Sequence, residues 1–374
     1  MIKKTVKMVG ISIVVIIGLV LVIGVLFLNI SPQFGGKPTK QNLRTFENSG
    51  NYAEGKFKNP IPTPMKMDFK IFRSLMKDQF MGNPNSKPLG ILPASIPAYM
   101  NGGLKNNNTH ITWFGHSSFL IQTDGMNLLL DPMFGEKPSP QPMPGPSRYE
   151  KEVDFSADDL PGLDAVIISH DHYDHLDYNT VQKIKHKVKA WYMPLGVGSH
   201  LLEWGVDPSK IHELNWGESI HIDSMILTCT PARHFSGRGL FDRFSTLWCS
   251  WVLQGRYDKI FFSGDSGYGP HFKEIGEKFG PFDLAMMECG QYDQRWSNIH
   301  MMPEESAQAA VDVKAKLFIP MHWGAFSLAL HDWNDPVERV VKASQELNIN
   351  IATPHIGQTF ALDESGRLLV EWWK

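Results

Sequence analysis

The tightest constraint on this chain is the hexapeptide His170-Asp171-His172-Tyr173-Asp174-His175, which lies just beyond the apolar run Ala165-Val166-Ile167-Ile168. Three histidines and two usable carboxylates at the end of a buried strand read as a metal site. Imidazole and carboxylate are the usual ligands of hydrolytic zinc. A solvated polar loop needs neither the histidines nor the strand that feeds it. His170 and His172 stand two apart, so in an extended segment both rings point to one side. Asp174 and His175 come after a turn and can face a second ion. Six residues thus begin two adjacent sites and complete neither, so further ligands must come from elsewhere.

Three later segments repeat the pattern of an apolar run followed by a His or an Asp. Met225 to Thr230 leads to His234, Lys259 to Ser263 leads to Asp265, and Leu317 to Met321 leads to His322. Ligands just past strand C-termini are the habit of α/β enzymes, whose sites sit in the loops at one sheet edge. Alone, His234 reads as a hydrogen-bonded structural histidine and Gly264-Asp265-Ser266-Gly267 as a turn. The recurrence in order makes them candidate ligands.

With these residues in place, the chain resembles the metallo-β-lactamase superfamily. In detail it is similar to its N-acyl-phosphatidylethanolamine-hydrolysing phospholipase D group. The similarity is carried by Ile111 to Ser118, Leu128-Leu129-Leu130-Asp131-Pro132, His170 to Asp177, Gly264 to Tyr268, Gly280 to Leu284 and Met321-His322-Trp323-Gly324. The resemblance implies a four-layer αββα sandwich and two zinc ions. One zinc would be held by His170, His172 and His234. The other would be held by Asp174, His175 and His322. Asp265 would bridge them, with a hydroxide shared between the metals. Asp174 and Asp265 would thereby be catalytic as well as ligating. It also implies a substrate-facing His300 and a site-lining Tyr173. The implied reaction hydrolyses N-acyl-phosphatidylethanolamine to phosphatidic acid and N-acylethanolamine.

The chemistry agrees with the donor set. Two zinc ions lower the pKa of a shared water and stabilise the oxygens of a phosphodiester in its transition state. The leaving alcohol needs a proton, for which His300 is a candidate acid. Asp171 points away from its neighbours and is read as orienting a ligand histidine. Residues 132 to 150 hold six prolines, followed within them by Ser147-Arg148-Tyr149, and read as a stiff loop bordering the cleft. Arg148 there is a candidate for binding a phosphate. His116 reads as a turn histidine with a possible supporting role. The remaining eight histidines, among them His200 and His271, lack ligand spacing and are read as surface or core. Cys229, Cys249 and Cys289 lie in apolar runs and read as buried thiols.

Met8 to Ile30 carries no charge and follows Lys3, Lys4 and Lys7. That length crosses a bilayer core as a helix. No small-x-small cut site follows, which favours an uncleaved single-pass anchor over a signal peptide. The leading lysines place the catalytic domain outside the cytosol, and Lys37, Lys40 and Arg44 weaken that bias. Residues 1–30 are thus expected as anchor, 31–108 as linker and wrapping extension (the linker to about residue 50), and 109–374 as hydrolase domain. The partners expected are a phospholipid substrate and a membrane, with an oligomer left open. A net charge of −3 and no basic tract with interleaved aromatics give nucleic acid little electrostatic support, and it is not among the expected partners. The alternative reading is a zinc hydrolase of another ester or lactone, of sugar-phosphate lactonase type. A non-enzymatic protein with a structural zinc is the third, disfavoured by open coordination positions.

Overall fold

The computed structural model describes residues 2–64, 68–101, 108–140, 145–150, 153–363 and 368–374. Part of the proline-rich loop, 141–144, lies outside them. The N-terminal part comprises α1 (Ile2–Ile30), α2 (Lys40–Glu47), the hairpin β1 (Tyr52–Ala53) and β2 (Lys56–Phe57), and α3 (Phe69–Met81). The first half of the catalytic body holds β3 (His110–Trp113), β4 (Phe119–Thr123), β5 (Met126–Leu130), β6 (Leu163–Ile167), α4 (Tyr178–Ile184), β7 (Val188–Pro194), α5 (Gly198–Glu203) and β8 (Ile211–Leu214). The second half holds β9 (Ser219–Ile222), β10 (Met225–Thr230), β11 (Ser250–Gln254), β12 (Lys259–Phe262), α6 (His271–Lys278), β13 (Leu284–Glu288), α7 (Pro303–Asp312), β14 (Leu317–Met321), α8 (Asp335–Glu346) and β15 (Asn350–Ile351). The last strand, β16 (Thr359–Ala361), returns to the first half.

The two sheets repeat one design. One runs β16-β3-β4-β5-β6-β7-β8, antiparallel up to β5 and parallel from there to β8. The other runs β9-β10-β11-β12-β13-β14-β15, antiparallel up to β12 and parallel beyond. Parallel strands need crossovers and are covered on both faces, so they read as unbroken apolar runs. β13 and β14 are buried at every residue for that reason. The sheets pack face to face: Phe119 meets Phe262 with ring centroids 6.4 Å apart, and Trp251 Nε1 donates to Ile168 O at 3.0 Å. Helices on the outer faces complete the four-layer αββα sandwich that the sequence led us to expect.

Three differences from expectation have physical causes. β8 and β9 are four-residue edge strands with polar members (Ile-His-Glu-Leu and Ser-Ile-His-Ile), which blur the apolar signal. The apolar run that opens at Leu247 enters β11 only at Ser250. Its first residues turn their backbone to the other sheet instead, with Leu247 N donating to Leu195 O and Cys249 N to Ser169 O. The third difference concerns residues 31 to 50, which are no free linker. Trp204 Nε1 donates to Pro32 O at 2.7 Å, Arg238 Nε donates to Gln33 O at 2.8 Å, and Phe46 is fully buried against Phe57, Leu195 and Trp248. Gly35 lies so close to His200 that a Cβ would fall 2.2 Å from its Nδ1. A segment rich in Gly and Pro looks flexible by composition, but here small residues permit close backbone approach.

α1 contains one stretch, Gly10–Ile30, long and apolar enough to cross a membrane, and none of it is buried against the protein. The extension that follows reaches the ligand loops. Asn59 Oδ1 accepts from His234 N at 3.0 Å while Asn59 Nδ2 donates to His234 O at 2.8 Å.

We expect Phe119→Ala to lower unfolding free energy by roughly 3–5 kcal/mol, measured by denaturant titration, because a fully buried ring between the sheets leaves a cavity. We expect Asn59→Ala to weaken metal retention by the histidine group containing His234, read by metal analysis after dialysis, with secondary structure unchanged by circular dichroism.

Candidate metal centre

Seven strand ends converge at one edge of the sandwich. β6 delivers His170, His172, Asp174 and His175. β10 delivers His234, β12 delivers Asp265 and β14 delivers His322. β3 and β5 lead into His116 and Asp131, β13 ends in Glu288, and β11 begins there beside Thr230. The edge is strained. His116, Asp131 and His322 hold φ of 53°, 38° and 68°, the left-handed region that non-glycine residues avoid. Gly264 also has positive φ, and a Cβ there would lie 2.7 Å from Cys249 O. Only glycine lets the β12 turn bring Asp265 down beside the β6 loop.

The predicted ligands form two adjoining groups. In the first, His170 Nε2 lies 2.9 Å from His172 Nδ1, and His234 Nε2 lies 3.3 Å from the same atom. Two nitrogens held by one tetrahedral zinc at ~2.05 Å would stand about 3.3 Å apart. In the second, His322 Nε2 and His175 Nε2 lie 3.2 and 3.6 Å from Asp174 Oδ2. Asp265 stands between them: Oδ1 is 3.2 Å from His175 Nε2 and Oδ2 is 3.1 Å from His322 Nε2, while Oδ2 is 3.8 Å from both His170 Nε2 and His234 Nε2.

The donors fit cations on three grounds. The outward nitrogens are already engaged: His170 Nδ1 donates to Ser169 Oγ at 2.9 Å, His234 Nδ1 to Ile299 O at 2.8 Å, and His175 Nδ1 to Asp131 Oδ2 at 2.7 Å. Each bond fixes a tautomer whose remaining lone pair faces inward. Next, His175 Nε2 and Asp265 Oδ1 are buried without a hydrogen bond despite their proximity. Buried polar atoms are rarely left so. Finally, each group offers one ligand atom per residue within 4.8 Å of the others.

Electrostatics divide the groups. Burial and the neighbouring imidazoles His175 and His172 hold His170 well below the usual imidazole range, and burial takes His172 down to about 4. These imidazoles are neutral and ready to ligate. For Asp265, burial pushes the carboxyl up, but His175 and His322 outweigh it and hold it well below the carboxylate range. The same opposition, with burial overcome by Asp265, raises His322 to about 10. Cation binding at the second group must therefore displace a proton, so affinity there falls as pH falls.

Three residues complete the centre that the sequence reading did not place in it. His116 Nε2 lies 2.9 Å from Asp174 Oδ2, within the second group. Asp131 also takes Ser169 N at 2.7 Å, locking the β5 end to the β6 loop. Glu288, fully buried, takes Ser266 N at 2.5 Å and pairs with His300 Nδ1. All three carry the same signal as the recognised ligands, a polar residue at the end of an apolar strand.

His300 lines a cleft of ≈ 290 Å³ with His172, Asp174, Asp265, Phe235 and Ile71. Arg148 is not in it. Its guanidinium is buried, donating to Gly135 O at 3.3 Å and to Met133 O, and lies over Phe326, so its fork faces backbone carbonyls and not the cleft. Tyr173 also turns from the cleft, donating to Arg238 O at 2.6 Å beneath the Arg238 guanidinium. Asp171 orients no ligand histidine. It accepts from Thr246 Oγ1 at 2.7 Å, Gly237 N at 2.8 Å and His200 Nε2 at 3.2 Å, pinning the loop after His234. The backbone rotation that turns ligands inward sends these intervening side chains outward.

We expect Asp131→Asn to weaken metal affinity roughly 10–100-fold, by competition with a chelator, since it frees the His175 ring. Arg148→Met should lower thermal stability while leaving metal content at the wild-type value, by metal analysis. Loading the apoprotein should release protons, seen in calorimetry as a dependence of heat on buffer ionisation enthalpy.

The sequence model described as Beta-lactamase superfamily domain matches residues 126–323, which include all seven predicted ligands. An uncharacterised protein of Mycobacterium tuberculosis is 40% identical over 335 residues, covering 88% of both chains. The N-acyl-phosphatidylethanolamine-hydrolyzing phospholipase D 1 of Caenorhabditis elegans is 34% identical over 253 residues, covering 63% of this chain and 70% of that protein. Among solved structures, a metallo hydrolase from Ignicoccus hospitalis is similar in fold, with a TM-score of 0.54 at 20% identity, covering 68% of this chain and 97% of the other. A sandwich with metal-binding clusters at its strand ends and these relatives lead to one conclusion: the chain belongs to the β-lactamase superfamily, as a metal-dependent hydrolase.

Proposed function

We propose that this protein is a dinuclear zinc phosphodiesterase of the membrane, hydrolysing N-acyl-phosphatidylethanolamine to phosphatidic acid and N-acylethanolamine. The observation that carries the reading is Asp265, shared between two ligand groups in a cleft that also holds the acid candidate His300. The similarity to the Caenorhabditis elegans phospholipase supports the substrate class. The exposed apolar helix α1 supports a single-pass anchor that keeps the site at a bilayer.

His170, His172 and His234 would hold one ion, and Asp174, His175 and His322 the other, with Asp265 between. Bound there, the two ions would supply the nucleophilic water and the positive charge that phosphoryl oxygens need. The water oxygen bonds to phosphorus and the bond from phosphorus to the ethanolamine oxygen breaks. His300 gives that oxygen its proton. Its Nδ1 is held by Glu288, so Nε2 is the nitrogen available to the leaving group. Phe235 and Ile71 give the cleft apolar walls that limit water around the reacting centre.

The full chain in detergent micelles, given N-acyl-phosphatidylethanolamine in heavy-oxygen water, should release both products, with the label in phosphatidic acid by mass spectrometry. His172→Ala should abolish turnover with the fold retained. A folded, metal-loaded protein that yields neither product sinks the lipid assignment and turns attention to esters and lactones. His300→Gln should lower kcat on the lipid by about 10²-fold or more. The loss should shrink on a p-nitrophenyl phosphodiester, whose leaving group needs no proton.

A further inference from the structure

α3 is inside out for a helix lying on a globular protein. Its large apolar residues Phe69, Phe72, Met76 and Phe80 are 79%, 51%, 53% and 91% exposed. At spacings of three, four and four they form one stripe along the helix. The residues turned toward the protein are Ile71, Leu75 and Asp78, and only these are partly covered. Arg295 Nη1 holds that side in place, donating to Asp78 Oδ2 at 2.7 Å and Ser74 Oγ at 3.1 Å. Lys70, Arg73 and Lys77 run along one side of the stripe, and none is in an ion pair among the described residues. An exposed apolar stripe with a basic flank is the pattern of a helix that lies in a membrane interface.

Its position matters as much as its pattern. Ile71 of α3 and Arg295, which holds α3, both line the metal cleft. Phe235 lines the same cleft and begins the loop that exposes Leu240 and Phe241, at 71% and 94%. That loop is tied to the exit of α1 by the bond from Arg238 to Gln33 O. The cleft rim is therefore continuous with the end of the membrane-spanning helix. A volume of ≈ 290 Å³ lies near the lower end, ~300 Å³, of ordinary ligand clefts, enough for a headgroup and not for acyl chains.

We propose that α3 is an interfacial helix. Its Phe69-Phe72-Met76-Phe80 stripe inserts into the bilayer that α1 crosses, and seats the cleft mouth on the lipid surface so that acyl chains stay in the membrane while the headgroup reaches the metals. This rests on the reading that α1 spans a membrane and the substrate is a membrane lipid. The basic flank matches anionic headgroups, which adds a salt-sensitive component.

The test uses the full chain in phosphatidylcholine vesicles with and without phosphatidylglycerol. Phe72→Cys, Phe80→Cys and Tyr257→Cys carry an environment-sensitive fluorophore; the three native cysteines are buried, and Tyr257 is an exposed residue just before β12, at the far end of the sheets. Emission at 72 and 80 should shift to the blue and be quenched by spin-labelled lipid, while emission at 257 is unchanged. Labels at 72 and 80 as water-exposed as at 257 overturn the proposal. So does a blue shift that grows with protein density and ignores the spin label, because a second copy then covers the stripe. In a separate arm, replacing all four stripe residues by Ser should lower hydrolysis in vesicles relative to micelles on the order of tenfold; an unchanged ratio counts against the proposal. Absence of lipid hydrolysis in both settings sinks the substrate assignment alone, and the fluorescence still decides α3.

Discussion

Asp265 pressed against His175 and His322, 3.2 and 3.1 Å away, is the interaction around which this protein is arranged. A buried carboxylate needs compensating charge or donors around it, and the imidazoles of both groups face this one, so breaking the set strands a charge in a dry interior. Everything at the sheet edge answers to that demand. Asp131 fixes the His175 ring, Glu288 lies 3.5 Å from His322 Nδ1, and His116 faces Asp174. The backbone accepts left-handed φ at His116, Asp131 and His322 in order to bring the groups together. Two sheets packed through a dense aromatic core are what make such an edge tolerable. Strain at a few residues is offset by burial elsewhere.

The same edge gathers the N-terminal extension. Asn59 clamps the backbone of His234, Arg233 reaches Pro62 and Thr63, and Gly35 and Gly36 lie against His200 and Ser199. The membrane-spanning candidate helix is thus joined to the catalytic centre through packed chain. An enzyme whose substrate lies in a bilayer gains from this. On the proposed reading, the fold holds the cleft toward the lipid, and the ordering entropy of a loose tether is not left for each encounter.

Much of the centre was legible because its chemistry is local. HDHYDH is dense enough to name a metal site by itself, and His234, Asp265 and His322 repeat its setting after apolar strands. The sandwich architecture followed from the family resemblance that those residues carry. What misled was composition read without contacts. Arg148 looked available for a phosphate, yet its donors go to carbonyls brought close by the turn after β5. Tyr173 belongs to the ligand loop in sequence and to Arg238 in space. Glycines at 35 and 36 suggested slack where they serve close approach.

The sequence by itself determined which residues are candidates to ligate, which strands are buried, and that an apolar helix precedes the enzyme. These follow from residue type and periodicity, which act over a few neighbours. Only the tertiary structure decided that His116, Asp131 and Glu288 complete the centre, that Arg148 and Tyr173 leave it, and that α3 carries its apolar stripe outward. Those outcomes depend on where strand ends more than a hundred residues apart meet, and on which face of a helix finds a partner. A local pattern marks a polar strand end or an apolar helix face, but it does not say which strand ends meet or which face is covered.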